Sequence, residues 1–153
     1  MTRKPDWQSL LDAFLTKHQF DEFEYGRWDC CLFVCAALKV MTGVDPASRY
    51  RGTYSSRATA RRLGHVPKIV AAVCAELGLD EIPVLRAQRG DIALVKHSLG
   101  LVALNGREIL LVSSKGLWRV SLSMAARSSE ARARSIRSRS AMPPSIGTRR
   151  HER

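Results

Sequence analysis

The sequence lacks several features that would have placed it in a well-defined class. No apolar run approaches the roughly 20 residues that a membrane-spanning helix needs, and the N-terminal residues lead into an amphipathic segment instead of a signal-peptide core. The four cysteines show no C-x-x-C spacing, which disfavours a structural zinc site. No internal repeat is present. These absences predict a cytoplasmic protein without a membrane span, and its 153 residues are enough for one domain with its own core.

Acidic residues are scarce relative to basic ones, and the imbalance is concentrated at the C-terminal end. The chain has 25 Lys and Arg against 14 Asp and Glu, which gives a net charge of +11. Residues 123–153 hold eight arginines and two glutamates, a net charge of +6, so residues 1–122 carry the remaining +5. The terminal segment is rich in Ser and Arg and has no sustained apolar face, which predicts disorder and weak contact with nucleic acid through phosphates alone. We therefore predict a folded domain over residues 1–122 and a disordered tail over residues 123–153.

Helical periodicity fills the first half of the chain, and β-strand patterns fill the second. Asp6 and Asp29 are suited to cap the first two helices, and Gly43 is suited to end the second. Asn105-Gly106 is a strong hairpin signal. The predicted helices cover residues 7–18, 30–41, 56–63 and 67–77, and the predicted strands cover 92–95, 99–104, 107–113 and 117–122. Helices followed by an antiparallel meander indicate an α+β fold.

The stretch YGRWDCCLFVCAAL, residues 25–38, carries the strongest candidate for chemistry. Its helix is apolar on nearly all sides and is predicted to be central and buried. Cys30 falls in the first turn, where free backbone N–H groups and the helix dipole favour thiolate. This effect is worth about 0.3–1 kcal/mol, less than the ~1.4 kcal/mol of one pKa unit. A nucleophilic Cys30 would therefore also need a base, normally histidine. The other cysteines are expected to be buried thiols that pack as small apolar groups: Cys31, Cys35 and Cys74.

Residues 29–34, Asp-Cys-Cys-Leu-Phe-Val, together with Gly90-Asp91 before the first core strand, resemble the NlpC-type branch of the papain-like cysteine peptidases. The stretches FEYGRWDCCLFV, YRGTYSS and RGDIALV resemble a group of small phage-encoded relatives of that branch, found among tail genes. The resemblance covers roughly residues 6–122. It implies a papain-like fold in which a buried helix carrying Cys30 packs on a small antiparallel sheet.

The catalytic set that this resemblance implies is matched only in part. Cys30 falls at the nucleophile, but Ser98 falls where a histidine should act as base, and His97 lies one residue earlier. Because strand side chains alternate, we expect Ser98 to face Cys30 and His97 to face away unless a bulge intervenes. The position of the polar residue that orients the histidine falls near Leu110 and Leu111. The candidate catalytic residues are Cys30, His97 and Asp29, of which Asp29 is better suited to capping the helix.

Three function classes follow, and the incomplete catalytic set favours the first. In that class the protein is a structural or assembly component of a phage or prophage tail. In the second it is a cysteine peptidase that cleaves amide bonds of peptidoglycan stem peptides through Cys30. In the third it binds nucleic acid through its Arg-rich tail. The expected partners are phage tail proteins or peptidoglycan, the expected location is the bacterial cytoplasm or the virion tail, and no metal or organic cofactor is implied.

Overall fold

The computed structural model describes residues 1–127 and 131–135 and has an α+β architecture, which confirms the predicted fold class. The helices are α1 (Trp7–His18), α2 (Cys30–Thr42), α3 (Arg57–Arg62), α4 (Val66–Glu76) and α5 (Leu122–Ala126). The strands are β1 (Asp80–Ile82), β2 (Ile92–Val95), β3 (Ser98–Val102), β4 (Glu108–Ser113), β5 (Gly116–Ser121) and β6 (Arg132–Ser135), and a 3₁₀ turn spans Val84–Arg86. None of the described helices combines the length and the apolar character needed to cross a bilayer.

The six strands form one sheet in the order β1-β6-β2-β3-β4-β5, with every neighbouring pair antiparallel. Strands β2 to β5 form the predicted meander. The turn between β3 and β4 contains Asn105-Gly106, where Gly106 has a φ of +69° and the Asn105 side chain accepts a hydrogen bond from the backbone N–H of Arg107. Lys96 and His97 form the two-residue connection between β2 and β3.

Helix α2 lies at the centre of the larger core, as its apolar sequence predicts. Six of its side chains are buried, and five of them belong to one core with residues of α1 and of one face of the sheet. The opposite face carries a second, smaller core formed with α5 and the 3₁₀ turn. Each large side chain buried in these cores contributes roughly 1.5–3 kcal/mol. The sheet is thus covered on both faces, and α2 is held between the sheet and α1.

The helix ends agree with the sequence except at α1. Gly43 ends α2 in the left-handed conformation, with a φ of +83°, and Ser56 forms a capping box with Thr59 at the start of α3. Asp6 occupies the N-cap position of α1, but its side chain makes no capping hydrogen bond, so the prediction that it caps this helix is wrong. An N-cap residue normally has an extended backbone. The backbone of Asp6 is not extended, with φ −99° and ψ 17°.

Helix α5 and strand β6 lie within the segment for which we predicted a disordered tail. β6 pairs with both β1 and β2, its Ala133 is fully buried, and Arg132 and Arg134 form ion pairs of 2.9 and 2.7 Å with Glu81. Composition did not reveal this strand because backbone pairing, not an apolar face, fixes most of it. The structure therefore corrects the predicted disorder over residues 123–127 and 131–135, and the rest of that tail lies outside the described residues.

Candidate thiol site

The start of α2 is organised by the carboxylate of Asp29, which is only 4% exposed. One of its oxygens accepts hydrogen bonds from the backbone N–H groups of Cys31 and Leu32 at 3.1 and 3.0 Å. The other accepts from the Gly26 N–H at 3.1 Å and from the Tyr54 hydroxyl. The extended backbone at Asp29 is the geometry of an N-cap residue. Four donors satisfy this buried carboxylate, so the predicted capping role is confirmed, while a catalytic role for Asp29 stays a prediction.

Gly26 allows the loop before α2 to approach the segment that carries Tyr54. It adopts a φ of +77°, and a Cβ atom at this position would lie 1.7 Å from the Tyr54 carbonyl oxygen. No other residue can occupy this position without displacing the backbone. The glycine therefore makes room for the Tyr54 segment, whose hydroxyl reaches the Asp29 carboxylate.

The thiol of Cys30 is half-buried at the first turn of α2. Its Sγ lies 4.0 Å from the Sγ of Cys31, and the backbone N–H of Leu99 on β3 interacts with it. The hydrogen bond from the Cys31 thiol lowers the pKa of Cys30 to about 7, and the N–H groups of Leu99 and Cys31 act in the same direction. Burial and the charge of Asp29 oppose this shift. The thiolate is therefore favoured by more than the helix terminus alone.

The other three thiols are held in the protonated form. The hydrogen bond to Cys30 raises the pKa of Cys31, and burial raises it further. Burial raises the pKa of Cys35 to about 12 and also raises that of Cys74. Cys74 is buried as predicted, whereas Cys31 and Cys35 are half-buried. In the part of the chain that the structure describes, no three His, Cys, Asp or Glu side chains are grouped so as to hold a metal ion.

Cys30 lines a cavity of about 880 Å³ that lies mainly between α2 and α4. Its walls are largely apolar, with Val34 and Leu38 from α2 and Ile69 and Val73 from α4. The polar side chains that line it come from several elements and include Tyr54, Arg57, Arg61, His97 and Ser98. The volume is within the range of roughly 300–1,000 Å³ typical of small-molecule sites.

The structure brings Cys30, Asp29 and His97 to this one cavity but does not connect His97 to the thiol. His97 is exposed in the turn between β2 and β3, and within the described residues its ring has no hydrogen-bond partner. The expectation that His97 faces away from Cys30 assumed that His97 belongs to a strand. Because it belongs to a turn, strand alternation does not determine where its side chain points.

Strand β3 presents apolar residues to α2 where the sequence led us to expect Ser98. Leu99 and Leu101 pack in the core around α2, and Ser98 is exposed at the start of the strand. Leu110, at the expected position of the orienting polar residue, is 2% exposed and pairs with Leu101 in the same core. The surroundings of the thiol thus supply a backbone N–H and a second thiol instead of an oriented imidazole.

His18 packs in an aromatic cluster beside α2. Its ring stacks on Trp28 with centroids 4.7 Å apart and lies 4.8 Å from Phe14, and its Nδ1 is 2.6 Å from an Asp21 oxygen. The i,i+4 spacing of Phe14 and His18 on α1 is the one local signal of this contact. None of these residues lines the cavity of Cys30.

Cys30 is expected to be the fastest-reacting of the four thiols. The thiolate is the nucleophile, so alkylation of Cys30 by iodoacetamide should rise with pH, reach half of its maximum near pH 7 and then level off, since its pKa is about 7. Cys35, with a pKa of about 12, should still be slow at that point. Brief alkylation of the native protein over a pH series, followed by fragment-level mass spectrometry that separates Cys30 from Cys31, measures this. A fast phase that survives Cys30→Ser, or faster labelling of Cys35 or Cys74, would contradict the assignment.

A family model described as a domain of unknown function (DUF6950) matches residues 2–128. That range contains helices α1 to α5, strands β1 to β5 and all residues that line the cavity. Comparisons with curated proteins and with solved structures gave no significant match. Because the family model spans most of the chain, this protein belongs to the DUF6950 family.

Proposed function

We propose that this protein is an NlpC-like, papain-fold component of a phage or prophage tail and does not hydrolyse peptidoglycan. The observation that carries the proposal is the incomplete set of groups around Cys30. The nucleophile position is filled, but within the described residues no imidazole is hydrogen-bonded to the thiol. The resemblance of residues 29–34 and of Gly90-Asp91 to phage-encoded NlpC-type proteins supports the tail association.

The order of the elements supports an NlpC-like relationship. A buried helix with cysteine in its first turn packs against β3 of an antiparallel meander, which is the arrangement that the resemblance implies. The Asp29 cap and the Leu99 amide together fix the thiol against this strand. We therefore propose that the protein has the scaffold of a cysteine peptidase without its amide-hydrolysing activity.

Amide hydrolysis requires more than a thiolate. A thiolate with a pKa of about 7 can attack a carbonyl carbon. The amine of a stem-peptide amide is a poor leaving group, however, and must be protonated by a general acid within hydrogen-bond reach. The hydroxyl of Ser98 is not an acid near neutral pH and Leu110 is a buried apolar side chain, so neither can supply or orient that proton. We therefore expect the amide bond to survive contact with Cys30.

A second candidate function is cysteine-dependent cleavage of stem peptides. Two observations favour it: the lowered pKa of Cys30 and the presence of His97 in the lining of the same cavity. This function would require the turn at Lys96 and His97 to place the imidazole within hydrogen-bond reach of the thiol. Since Lys96 has a φ of +55°, this turn already uses an uncommon backbone conformation.

Purified peptidoglycan distinguishes the two functions. We expect no soluble stem-peptide fragments from the wild type, from Cys30→Ala or from His97→Ala, as measured by chromatography and mass spectrometry. His65→Ala is the matched control, because His65 lines the same cavity but is not one of the candidate catalytic residues. Fragment release by the wild type and by His65→Ala that is lost in both Cys30→Ala and His97→Ala would overturn the non-hydrolytic proposal. Mass spectrometry of purified tail particles from the encoding phage or prophage tests the tail association separately, and absence of the protein there would count against it.

A further inference from the structure

The cavity of Cys30 has largely apolar walls on α2 and α4, and the space between these two walls is called the apolar channel below. Cys30 lies at the N-terminal end of the α2 wall. Cys30, Val34 and Leu38 are spaced i, i+4 and i+8, so they form one stripe along α2. At a rise of 1.5 Å per residue this stripe is about 12 Å long. Helix α4 supplies a facing apolar stripe that includes Ile69 and Val73. A flexible apolar chain fits such a channel better than a stem peptide, whose polar amides would lose their hydrogen bonds to water there.

A second feature of the cavity is its pair of unpaired arginines. Arg57 and Arg61 lie four residues apart on α3 and both line the cavity. Within the described residues neither has a carboxylate within 4.0 Å. Guanidinium groups bind phosphate through paired hydrogen bonds. The cavity therefore combines an apolar channel, a thiol and a cationic pair suited to a phosphate-bearing group.

We propose that this cavity binds a long-chain acyl thioester of a phosphate-bearing carrier such as coenzyme A, and that Cys30 takes over the acyl group. The acyl chain lies along the apolar stripes of α2 and α4. The phosphates of the carrier contact Arg57 and Arg61. This inference goes beyond the proposed function, because it assigns a ligand and a covalent step to a site that does not cleave peptidoglycan.

The covalent step needs no general acid. The Cys30 thiolate attacks the carbonyl carbon of the thioester and forms a tetrahedral oxyanion. When this intermediate collapses, the bond between the acyl carbon and the carrier sulfur breaks, which leaves an acyl thioester on Cys30. The carrier departs as a thiolate and takes a proton from water, and no atom is oxidised or reduced. A thiolate leaves without prior protonation, unlike an amine, so a site without an oriented imidazole suits a thioester better than an amide.

Palmitoyl-coenzyme A and acetyl-coenzyme A, each incubated at equal concentration with the full chain, test the proposal in the wild-type protein. We expect intact-mass spectrometry to show one added palmitoyl group that neutral hydroxylamine removes. Palmitoyl transfer should be at least about tenfold faster than acetyl transfer, because only the long chain gains from burial in the channel. Cys30→Ser should abolish the modification, and Cys35→Ser should retain it.

Two pairs of variants separate the channel and the arginines from general effects. Val73→Asp places a charge in the apolar wall and should slow palmitoyl transfer about tenfold or more, whereas Ala72→Asp, on the same helix but outside the lining, should not. Arg61→Glu should raise the concentration of palmitoyl-coenzyme A at which transfer is half-saturated. Arg62→Glu, at the neighbouring position outside the lining, should not. Alkylation of Cys30 by iodoacetamide should remain unchanged in the two control variants, Ala72→Asp and Arg62→Glu.

Equal rates for the two thioesters in the wild type would overturn the proposal without recourse to any variant. Modification of another cysteine, or saturable binding of palmitate with no transfer from palmitoyl-coenzyme A, would overturn it as well. Its failure is distinguishable from failure of the proposed function, since peptidoglycan release is measured with a different substrate and with His97→Ala.

Discussion

A chain that ends at Arg127 is expected to unfold at a much lower denaturant concentration than a chain that ends at Ser135. The longer chain keeps β6, which lies between β1 and β2 and pairs with three residues of each. Removing β6 exposes Ile82 and Ala93 and takes away the buried Ala133. It also leaves β2 as an unpaired edge and detaches β1 from the sheet. At roughly 0.5–1.5 kcal/mol per backbone hydrogen bond, together with the lost burial, we expect a loss on the order of 5 kcal/mol.

Comparing these two chains isolates residues 128–135, because both lack everything after residue 135. Urea unfolding followed by circular dichroism gives the two free energies of unfolding. Ala133→Asp in the full chain, with Ala131→Asp as the control, repeats the test without truncation: Ala133 is fully buried, and Ala131 is only partly so. Equal stability of the two truncated chains would mean that β6 contributes nothing and that our original prediction of a disordered tail holds for this segment too.

Replacing Asp29 by alanine is expected to lower the free energy of unfolding by roughly 3–6 kcal/mol, a large part of the 5–15 kcal/mol typical of a domain. The change removes the N-cap of α2, which alone is worth about 0.5–2 kcal/mol. It also leaves the Gly26 N–H and the Tyr54 hydroxyl without their acceptor, at about 1–3 kcal/mol for each buried donor. Because α2 carries much of the larger core, its fraying should be felt throughout the protein.

Two milder variants separate the hydrogen bond of Tyr54 from the charge of Asp29. Tyr54→Phe removes one hydrogen bond to Asp29 and should cost only about 0.5–1.5 kcal/mol. Asp29→Asn keeps an oxygen for the cap but removes the negative charge, which opposes the Cys30 thiolate. The pH at which Cys30 alkylation is half-maximal should therefore shift downward in Asp29→Asn. A loss below about 1 kcal/mol for Asp29→Ala would show that the four hydrogen bonds do not hold the start of α2.

The helices and hairpins could be predicted from the sequence because their determinants are local. The bounds of α2 follow from Asp29 before it and Gly43 after it, and both act within a few residues along the chain. The turn at Asn105-Gly106 is likewise local, because Gly106 adopts a positive φ and the Asn105 side chain accepts a hydrogen bond two residues along the chain. The predicted NlpC-type relationship and tail association rest on such local motifs and stay predictions that the peptidoglycan and tail-particle experiments test.

Strands β1 and β6 could not be predicted in this way. Each is short, β1 has two exposed residues of three, and neither shows a run of strand-forming residues. They exist as a pair because residues 80–82 meet residues 133–135, with most of the sheet between them in sequence. Pairing between distant segments depends on the whole chain being folded, and short windows of composition carry no record of it.

The sequence by itself identified Cys30 as the thiol at a helix start and identified Asp29 as its cap, because both are properties of one helix terminus. Only the tertiary structure decided how reactive that thiol is. The N–H of Leu99 reaches Cys30 from a strand far away in sequence, and α4 closes the apolar channel against α2. The tertiary structure also places His97 in a turn, where strand alternation no longer determines the direction of its side chain. Burial, hydrogen bonding and the shape of a cavity arise from contacts between segments that are distant in the chain, so they are fixed only when those segments pack together.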